Sequence, residues 1–395
     1  MKILLFAPNY LPATRYGGPI ASSHGLARAL VGLGHEVHVL TTNVDGDGVL
    51  DVPLGEIVSI DGVNVRYFPV ASPRRLYYSP MMSRVIDAEI ATFDVAHING
   101  VYLWPGPRLS LVAEQAGVPV VISPRGMLVR ELIAGKSSWV KRAWIALKER
   151  PRLARAAIIH VTSEEEQSEV RQLGLDLAPL VLLGNGVDVP ETLPSAEQVD
   201  RIWHGIPPGR RVAFLGRLDW MKGVDRVIEA VRAHADAQVL IAGPDQLGLR
   251  RELEPLLTRP DGRMAGRFLG SVTGTDKWAL LSGADVLMAP SVKESFGLSV
   301  AEALSVGTPV ICTPGVGAAS IVVRTDPGCV VERTPQALAQ ALDQLLANPE
   351  RQRRAGERGR DIMAAEYTWR AIAERMVEVY SAAHLSFKPQ ARQPA

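Results

Sequence analysis

Short apolar runs alternate with stretches of helical periodicity from the first residue onward, and part-way along the chain the alternation starts again. The first series predicts strands at Lys2–Ala7, Glu36–Thr41, Val63–Pro69, Asp94–Ile98, Val118–Ser123, Ala157–Thr162 and Pro179–Leu183, with helical stretches such as Pro19–Leu33 and Met82–Thr92 between most of them. Strand, helix, strand in repetition requires a parallel sheet, because each crossover returns along one face and the helices come to cover both. The second series predicts strands at Arg211–Leu215, Gln238–Ala242, Arg267–Leu269, Asp285–Ala289, Pro309–Cys312 and Cys329–Val331, with a helix at Gly223–His234. Gly184–Pro190 and the Pro- and Gly-containing stretch Pro194–Gly209 lie between the series and read as a linker. The expected fold class is α/β, two tandem doubly wound Rossmann-like domains, and 395 residues are enough for two such units. The carboxyl ends of both sheets would face a cleft, where ligands of such sheets bind. After Pro335 the pattern stays helical to about residue 384, and the polar tail Lys388–Ala395 reads as frayed.

Composition narrows the function. Apolar residues at 47 % and charged residues at 22 % describe an ordinary soluble globular protein. The formal net charge of +1 argues against nucleic acid as a partner, since such binders are more basic. Cys312 and Cys329 are the two cysteines, too few for a structural zinc site, and this sparse use fits a reducing cytoplasm. The apolar run at the N-terminus stops at Pro8, too short for a signal peptide, and reads as a buried first strand. No apolar run is long enough to span a bilayer.

The residues that carry chemistry concentrate in the second series. Lys293-Glu294-Ser295-Phe296-Gly297-Leu298-Ser299-Val300-Ala301-Glu302 follows the strand that ends near Ala289-Pro290. Gly297 opens a predicted helix to Val306, whose free first amides favour anionic or hydroxyl-bearing ligands. Glu294 stands just before it, where a carboxylate can bind sugar hydroxyls. Glu302 lies within it among Val300, Ala301, Ala303 and Leu304, and a carboxylate in that setting needs a partner or a ligand. A plainer account stays open, in which Glu294 favours the helix dipole and Glu302 sits on a solvated face. The second motif, Leu215-Gly216-Arg217-Leu218-Asp219-Trp220-Met221-Lys222-Gly223, directly follows the first strand of the second series. Two cations at a strand's carboxyl end suit a pyrophosphate, whose charge grows as the bond to a sugar breaks. Taken alone, the pair also fits a solvated turn.

Together these motifs resemble the family 4 glycosyltransferases, the retaining group 1 enzymes of the GT-B fold. The resemblance covers nearly the whole chain. It rests on Gly-Arg-Leu and Lys-Gly within 216–223, on the two glutamates of 294–302, on Gly307-Thr308-Pro309-Val310, on Gly17-Gly18-Pro19 and on Asn185-Gly186-Val187-Asp188. It implies an acceptor-binding domain over 1–190, a nucleotide-sugar-binding domain over 206–366, and a final helix, 367–387, packing back on the first domain. Arg217 and Lys222 are then expected to neutralise the donor diphosphate in place of a metal ion, and Glu302 to bind the ribose hydroxyls. Glu294 and the amides of Phe296, Gly297 and Leu298 are expected to hold the donor sugar. Gly18 would let the backbone approach the phosphate as the domains close, a use that a glycine pair permits. Gly243 and Val272 fall near loops that touch the nucleotide in relatives. No cofactor and no metal are expected, the nucleotide-sugar being a substrate. The implied acceptor is a sugar or lipid-linked sugar in surface polysaccharide or lipid-linked oligosaccharide synthesis.

The first domain's chemistry is sparser. Asp94–Gly100 is a strand ending in polar residues. Many relatives carry His-x-His here, and this chain has His97 followed by Asn99. His97 reads either as a catalytic residue or as a satisfied core histidine. Asn99 can hydrogen-bond but cannot act as a base. Arg125, in Ser123-Pro124-Arg125-Gly126-Met127, reads either as a grip on an acceptor phosphate or as half of a surface ion pair. A missing base is tolerable if retention proceeds on one face, because the leaving phosphate oxygen can take the acceptor proton itself.

Rival signals remain. Asp45-Gly46-Asp47 has the Asp-x-Asp form of metal-dependent transferases, and a calcium loop from Asp45 to Glu56 fails because Leu50 stands where it needs glycine. A polar turn accounts for these residues better. Lys136–Arg155 carries seven basic residues against one acid, Glu149, with Trp139, Val140, Ala143, Trp144 and Leu147 at helical spacing. It could rest on the cytoplasmic face of an anionic membrane and bring a lipid-linked acceptor close. The preferred account puts its tryptophans in the core, with the helix ending by Pro151. Two other functions share the architecture: a nucleotide-sugar epimerase, for which no convincing acid–base set is present, and a carbohydrate-binding relative without turnover.

Overall fold

A computed structural model describes residues 1–13, 17–129 and 138–387. The chain divides into two units, Met1–Gly186 joined by the segment from Trp369, and Val187–Thr368. In the first unit the strands are β1 (Lys2–Phe6), β2 (Glu36–Thr42), β3 (Val44–Asp45), β4 (Gly48–Val49), β5 (Ile57–Ile60), β6 (Val63–Phe68), β7 (Val95–Asn99), β8 (Val120–Ser123), β9 (Ile158–Val161) and β10 (Leu180–Leu182). An eight-stranded sheet runs in the order β10-β9-β8-β7-β1-β2-β6-β5. It is parallel throughout except at β5, which pairs antiparallel with β6. Its central strands are apolar at consecutive positions because both faces are covered: Ile3, Leu4, Leu5 and Phe6 are all buried.

The second unit holds β11 (Arg211–Leu215), β12 (Gln238–Ala242), β13 (Gly266–Gly270), β14 (Val286–Ala289) and β15 (Val310–Cys312) in a parallel sheet ordered β13-β12-β11-β14-β15. Crossover helices such as Val224–Ala233 and Leu298–Ser305 bury their apolar sides on it. The two doubly wound sheets are those expected from the sequence.

The final helix, Trp369–Ser386, belongs to the first unit. Trp369 lies on the helix Gly18–Gly32 at Gly25, where a Cβ would fall 2.2 Å from the indole Cε2. Only a residue without a side chain lets the ring approach that closely.

Four details differ from the sequence reading. The stretch Pro194–Gly209 is no open linker: Ser195 and Gln198 form a reciprocal cap on the helix Ala196–Ile202, and Trp203 after it is buried in the second unit. Cys329–Val331 makes only a single bridge from Val330 to Cys312, after a tight turn at Pro327–Cys329. β5 escapes a periodicity search because it is a short edge strand, with Ile57 and Ser59 exposed and Val58 and Ile60 only half-buried. Its hairpin turn, Asp61-Gly62, was the available signal, and both residues have the positive φ that such a two-residue turn requires. Lastly, 138–155 is helical throughout, with a π-turn at Ile145–Glu149 between Ser138–Trp144 and Arg150–Arg155. The wider turn accommodates Pro151, which lacks an N–H and would clash with a regular helix.

Candidate functional site

In the second unit the predicted charged residues gather at the carboxyl ends of β11 and β14. After β11 the chain turns through Gly216 and Arg217, and Asp219 caps a tight turn at Trp220–Lys222 by accepting from the Met221 amide at 2.9 Å. The Val292 amide donates to the Met221 carbonyl at 2.7 Å, which fixes this turn to the loop after β14. That loop is held from its other side, where the Glu294 amide donates to Gly315 and the Gly317 amide donates to Glu294, both at 2.9 Å. Two loops so pinned bring the Lys222 Nζ to 2.6 Å from Glu294 Oε1. The buried Ser291 hydroxyl donates to Glu294 Oε2 at 3.3 Å. Arg217 is exposed and bonds to none of the described residues, so its guanidinium is available to an anion.

Gly297 ends the loop with φ 101°, a left-handed conformation unsuited to a side chain, and starts the helix Leu298–Ser305. No side chain caps that helix, which leaves its first amides to solvent or a ligand. Phe296 turns its ring into the core, 6.2 Å from the ring of Tyr367, so only its backbone can face a ligand. Glu302, in the second turn, pairs with Lys277 at 2.8 Å from the neighbouring helix Gly274–Ser282. Burial pushes the Glu302 carboxyl above the usual range, Lys277 opposes that shift, and Asp188 adds to it. Val272 lies half-buried in the loop before Lys277's helix. Gly243 has a structural reason of its own: a Cβ there would sit 1.8 Å from the Gly216 carbonyl oxygen. The predicted set missed Ser291 and Lys277, whose pairings cross loops and helices and leave no local pattern.

Gly18, His97, Asn99 and Arg125 lie in the first unit. Gly18 is exposed at the start of the helix Gly18–Gly32. His97 corrects an expectation. It is fully buried, and both ring nitrogens are engaged, Nδ1 with the Tyr380 hydroxyl and Nε2 with Ser123 Oγ, each at 2.7 Å. Ser123 Oγ lies 2.7 Å from His160 Nδ1, and His160 Nε2 lies 2.7 Å from the Leu183 carbonyl. With both imidazoles neutral, the Leu183 carbonyl, which only accepts, fixes every proton in this line. His160 donates to Leu183, Ser123 to His160, His97 to Ser123, and Tyr380 to His97. Neutral is the form that burial favours for both imidazoles. Burial holds His97 well below its ordinary pKa and His160 at about 3, with the Arg125 charge adding to both. Of its two readings, His97 has the burial and the partners of a satisfied core histidine.

Asn99 is also buried, and its carbonyl oxygen accepts from Arg125 Nε at 2.8 Å. Arg125 Nη1 donates to Asn185 Oδ1 at 2.8 Å. Glu166, the carboxylate whose field reaches Arg125, is occupied by the amides of Gly126 and Thr162 and the Thr162 hydroxyl. The guanidinium is thus oriented by two neutral carboxamides rather than by an ion pair.

The chain matches the family Glycosyl transferases group 1 over residues 201–362 and the Glycosyl transferase 4-like domain over 17–186. It is 30 % identical to the phosphatidyl-myo-inositol mannosyltransferase of Mycobacterium leprae, across 90 % of each chain. The chain belongs to the group 1 glycosyltransferases. Solved structures of similar fold include the sucrose-phosphate synthase of Thermosynechococcus elongatus, with a TM-score of 0.76 and 22 % identity over 96 % of this chain and 98 % of that one. They also include Anabaena HepE in complex with UDP and glucose, with a TM-score of 0.75 and 19 % identity over 97 % of this chain and all of that one.

Other predicted features of this glycosyltransferase fall as follows. Asp45 ends β3 of the short hairpin β3–β4 and Asp47 lies in its turn, where the Asp47 carbonyl accepts from Arg74 at 2.6 Å. Lys136 and Ser137 lie outside the described residues, as does the tail Lys388–Ala395. In the rest of the basic stretch Trp139 is 77 % and Leu147 73 % exposed, so the account that buried both tryptophans is wrong for Trp139. Trp144 does pack inward, 6.5 Å from the ring of Trp104. Among the described residues no helix is long and apolar enough to cross a membrane.

Proposed function

We propose that this glycosyltransferase moves a sugar, with retention of configuration, from a nucleoside-diphosphate-sugar held by Val187–Thr368 to an acceptor hydroxyl, without a divalent ion. The observation that carries this reading is the uncompensated Arg217 beside the Lys222–Glu294 pair at the carboxyl ends of β11 and β14. The diphosphate meets Arg217 and Lys222, and the donor sugar meets Glu294 and the amides from Phe296 to Leu298. Glu302 takes the ribose hydroxyls, with Val272 and Gly243 in the flanking loops. On the first unit Gly18 is the residue through which the backbone nears the phosphate.

The acceptor oxygen bonds to the anomeric carbon on the face from which the phosphate leaves. Its proton passes to the departing phosphate oxygen, giving a glycoside and a nucleoside diphosphate. The two cations stabilise the charge that grows on that oxygen. This route suits a chain in which buried His97 and Asn99 provide no base.

Arg125, aimed by Asn99 and Asn185 and not neutralised by a direct ion pair, is the residue we assign to an anionic group of the acceptor. Two of the relatives have phosphorus-containing sugars or lipids in their names, the phosphatidyl-myo-inositol enzyme and the sucrose-phosphate enzyme. The exposed Trp139 and Leu147, with Lys141, Arg142 and Lys148 near them in sequence, suit contact with an anionic membrane surface carrying a lipid-linked acceptor. A peripheral cytoplasmic enzyme of surface polysaccharide or lipid-linked oligosaccharide synthesis follows from that.

The test is nucleotide release from a panel of nucleotide-sugars, with and without chelator. We expect release to survive chelation and to fall about 100-fold or more in Arg217→Ala and Lys222→Ala, the scale for loss of a group that stabilises developing negative charge. Activity lost to chelator and restored by manganese, with Arg217 dispensable, would overturn the reading. Interconversion of sugars without release would indicate an epimerase instead.

A further inference from the structure

The donor reading assigns Glu302 to the ribose but leaves open what makes it selective. We propose that Lys277 is a positioning residue that fixes Glu302 as a one-sided acceptor for the vicinal hydroxyls of the nucleoside, so that discrimination between ribose and deoxyribose runs through Lys277. The inference rests on that reading of the second unit and deepens it.

Glu302 sits on the helix Leu298–Ser305 between fully buried Ala301 and Ala303, so its backbone has little freedom to move. Its side chain is half-buried, in surroundings that favour the neutral acid, and nearby Asp188 favours it further. A protonated Glu302 would present a hydroxyl as well as a carbonyl, and would lose the strong acceptor that a diol requires. Lys277 prevents this. Its ammonium lies 2.8 Å from Oε1 and over the ring of Trp278, 4.2 Å from the centroid. Held between a carboxylate and an aromatic face, the ammonium has few other places to go.

The consequence is geometric. With Oε1 taken by Lys277, Oε2 bonds to none of the described residues and remains as the acceptor for a ligand. A carboxylate free to rotate would offer either oxygen and lose entropy on binding, whereas this one is pre-set. Lys222 and Glu294 form the corresponding pair at the other motif, but there the lysine is itself assigned to the ligand. Lys277 acts only through Glu302.

The experiment is titration calorimetry with UDP, GDP and ADP and with the 2′,3′-dideoxy form of each. It compares the intact protein with Lys277→Met, Lys277→Arg and Glu302→Gln. For the tightest ribonucleotide we expect the intact protein to prefer ribose about tenfold or more, the scale of a charged hydrogen bond. Lys277→Met should bring that ratio close to one while leaving the dideoxy affinity within about twofold. Glu302→Gln should do the same, and Lys277→Arg should restore most of the preference. A merely structural lysine would weaken both ligands equally or neither, and either result overturns the inference, as does an intact protein that prefers neither form. Failure of all three ribonucleotides to bind the intact protein would instead overturn the donor reading beneath it.

Discussion

Tyr380, His97, Ser123 and His160 form one line of hydrogen bonds whose proton positions are set by the Leu183 carbonyl at its end. Adding a proton to either imidazole would bury a further positive charge next to the Arg125 charge. Folding therefore keeps both histidines neutral, whereas the unfolded chain takes up protons below its ordinary histidine pKa of 6.5. A depressed folded pKa means stability that is complete above 6.5 and is lost as pH falls, down to about 3 for His160. The slope is on the order of 1 kcal/mol per pH unit for each histidine. We expect the urea midpoint of the first unit to fall steadily between pH 6.5 and 4.5. His160→Gln, whose amide can still donate to Leu183 and accept from Ser123, should show roughly half that slope. A slope unaltered in this variant would mean that other groups carry the acid sensitivity. The sequence left His97 open between a catalytic residue, as the resemblance suggests, and a satisfied core histidine. Nothing local showed that Tyr380, Ser123 and His160 would close around it.

The helical stretch 138–155 shows how an element can be amphipathic in an unexpected sense. Its one acid, Glu149, points inward, where Oε1 accepts from the Tyr102 amide and from Trp144 Nε1, each at 2.9 Å. Glu149 Oε2 lies 2.6 Å from Arg152 Nη2, and both residues are buried. The π-turn at Ile145–Glu149 ends on the pair's Glu149, and Pro151 lies between the two members. From sequence, Pro151 marked an end because a π-turn has no composition of its own. The basic residues were legible, but not which of them faced the core. Removing one partner of a buried pair leaves a bare charge, at a cost of about 3–5 kcal/mol, whereas removing both charges leaves none. Arg152→Met should therefore destabilise the first unit by about that amount. Glu149→Gln with Arg152→Met should recover much of the loss, since a glutamine carbonyl can still accept from Tyr102 and Trp144. Equal loss in the single and double variants, read from denaturation midpoints, would show that packing and not charge holds the stretch.

At the scale of the molecule, what the sequence disclosed followed from how local each feature is. The parallel strands were legible because burial on both faces makes them runs of apolar residues. The two charged motifs of the second unit were legible because each is contiguous. The helix Ala196–Ile202 was hidden among prolines and glycines, and the pairing of Lys277 with Glu302 spans separate helices. The first unit depends on a helix at the far end of the chain. Trp369, Ile372, Met376 and Tyr380 are buried there, and Tyr380 completes the hydrogen-bond line through His97. Losing one large buried side chain costs about 2–5 kcal/mol, and a domain's whole stability is about 5–15 kcal/mol. A chain ending at Thr368 loses all four together, so its first unit should not stay folded. The second unit, Val187–Thr368, keeps all its strands, its core and the Lys222–Glu294 and Lys277–Glu302 pairs. We expect trypsin to degrade Met1–Gly186 in the shortened chain while a core spanning Val187–Thr368 persists. Calorimetry should show one of the intact protein's transitions lost and the other kept. Survival of the first unit without this helix would mean that Trp369 and Tyr380 cover a core already stable without them.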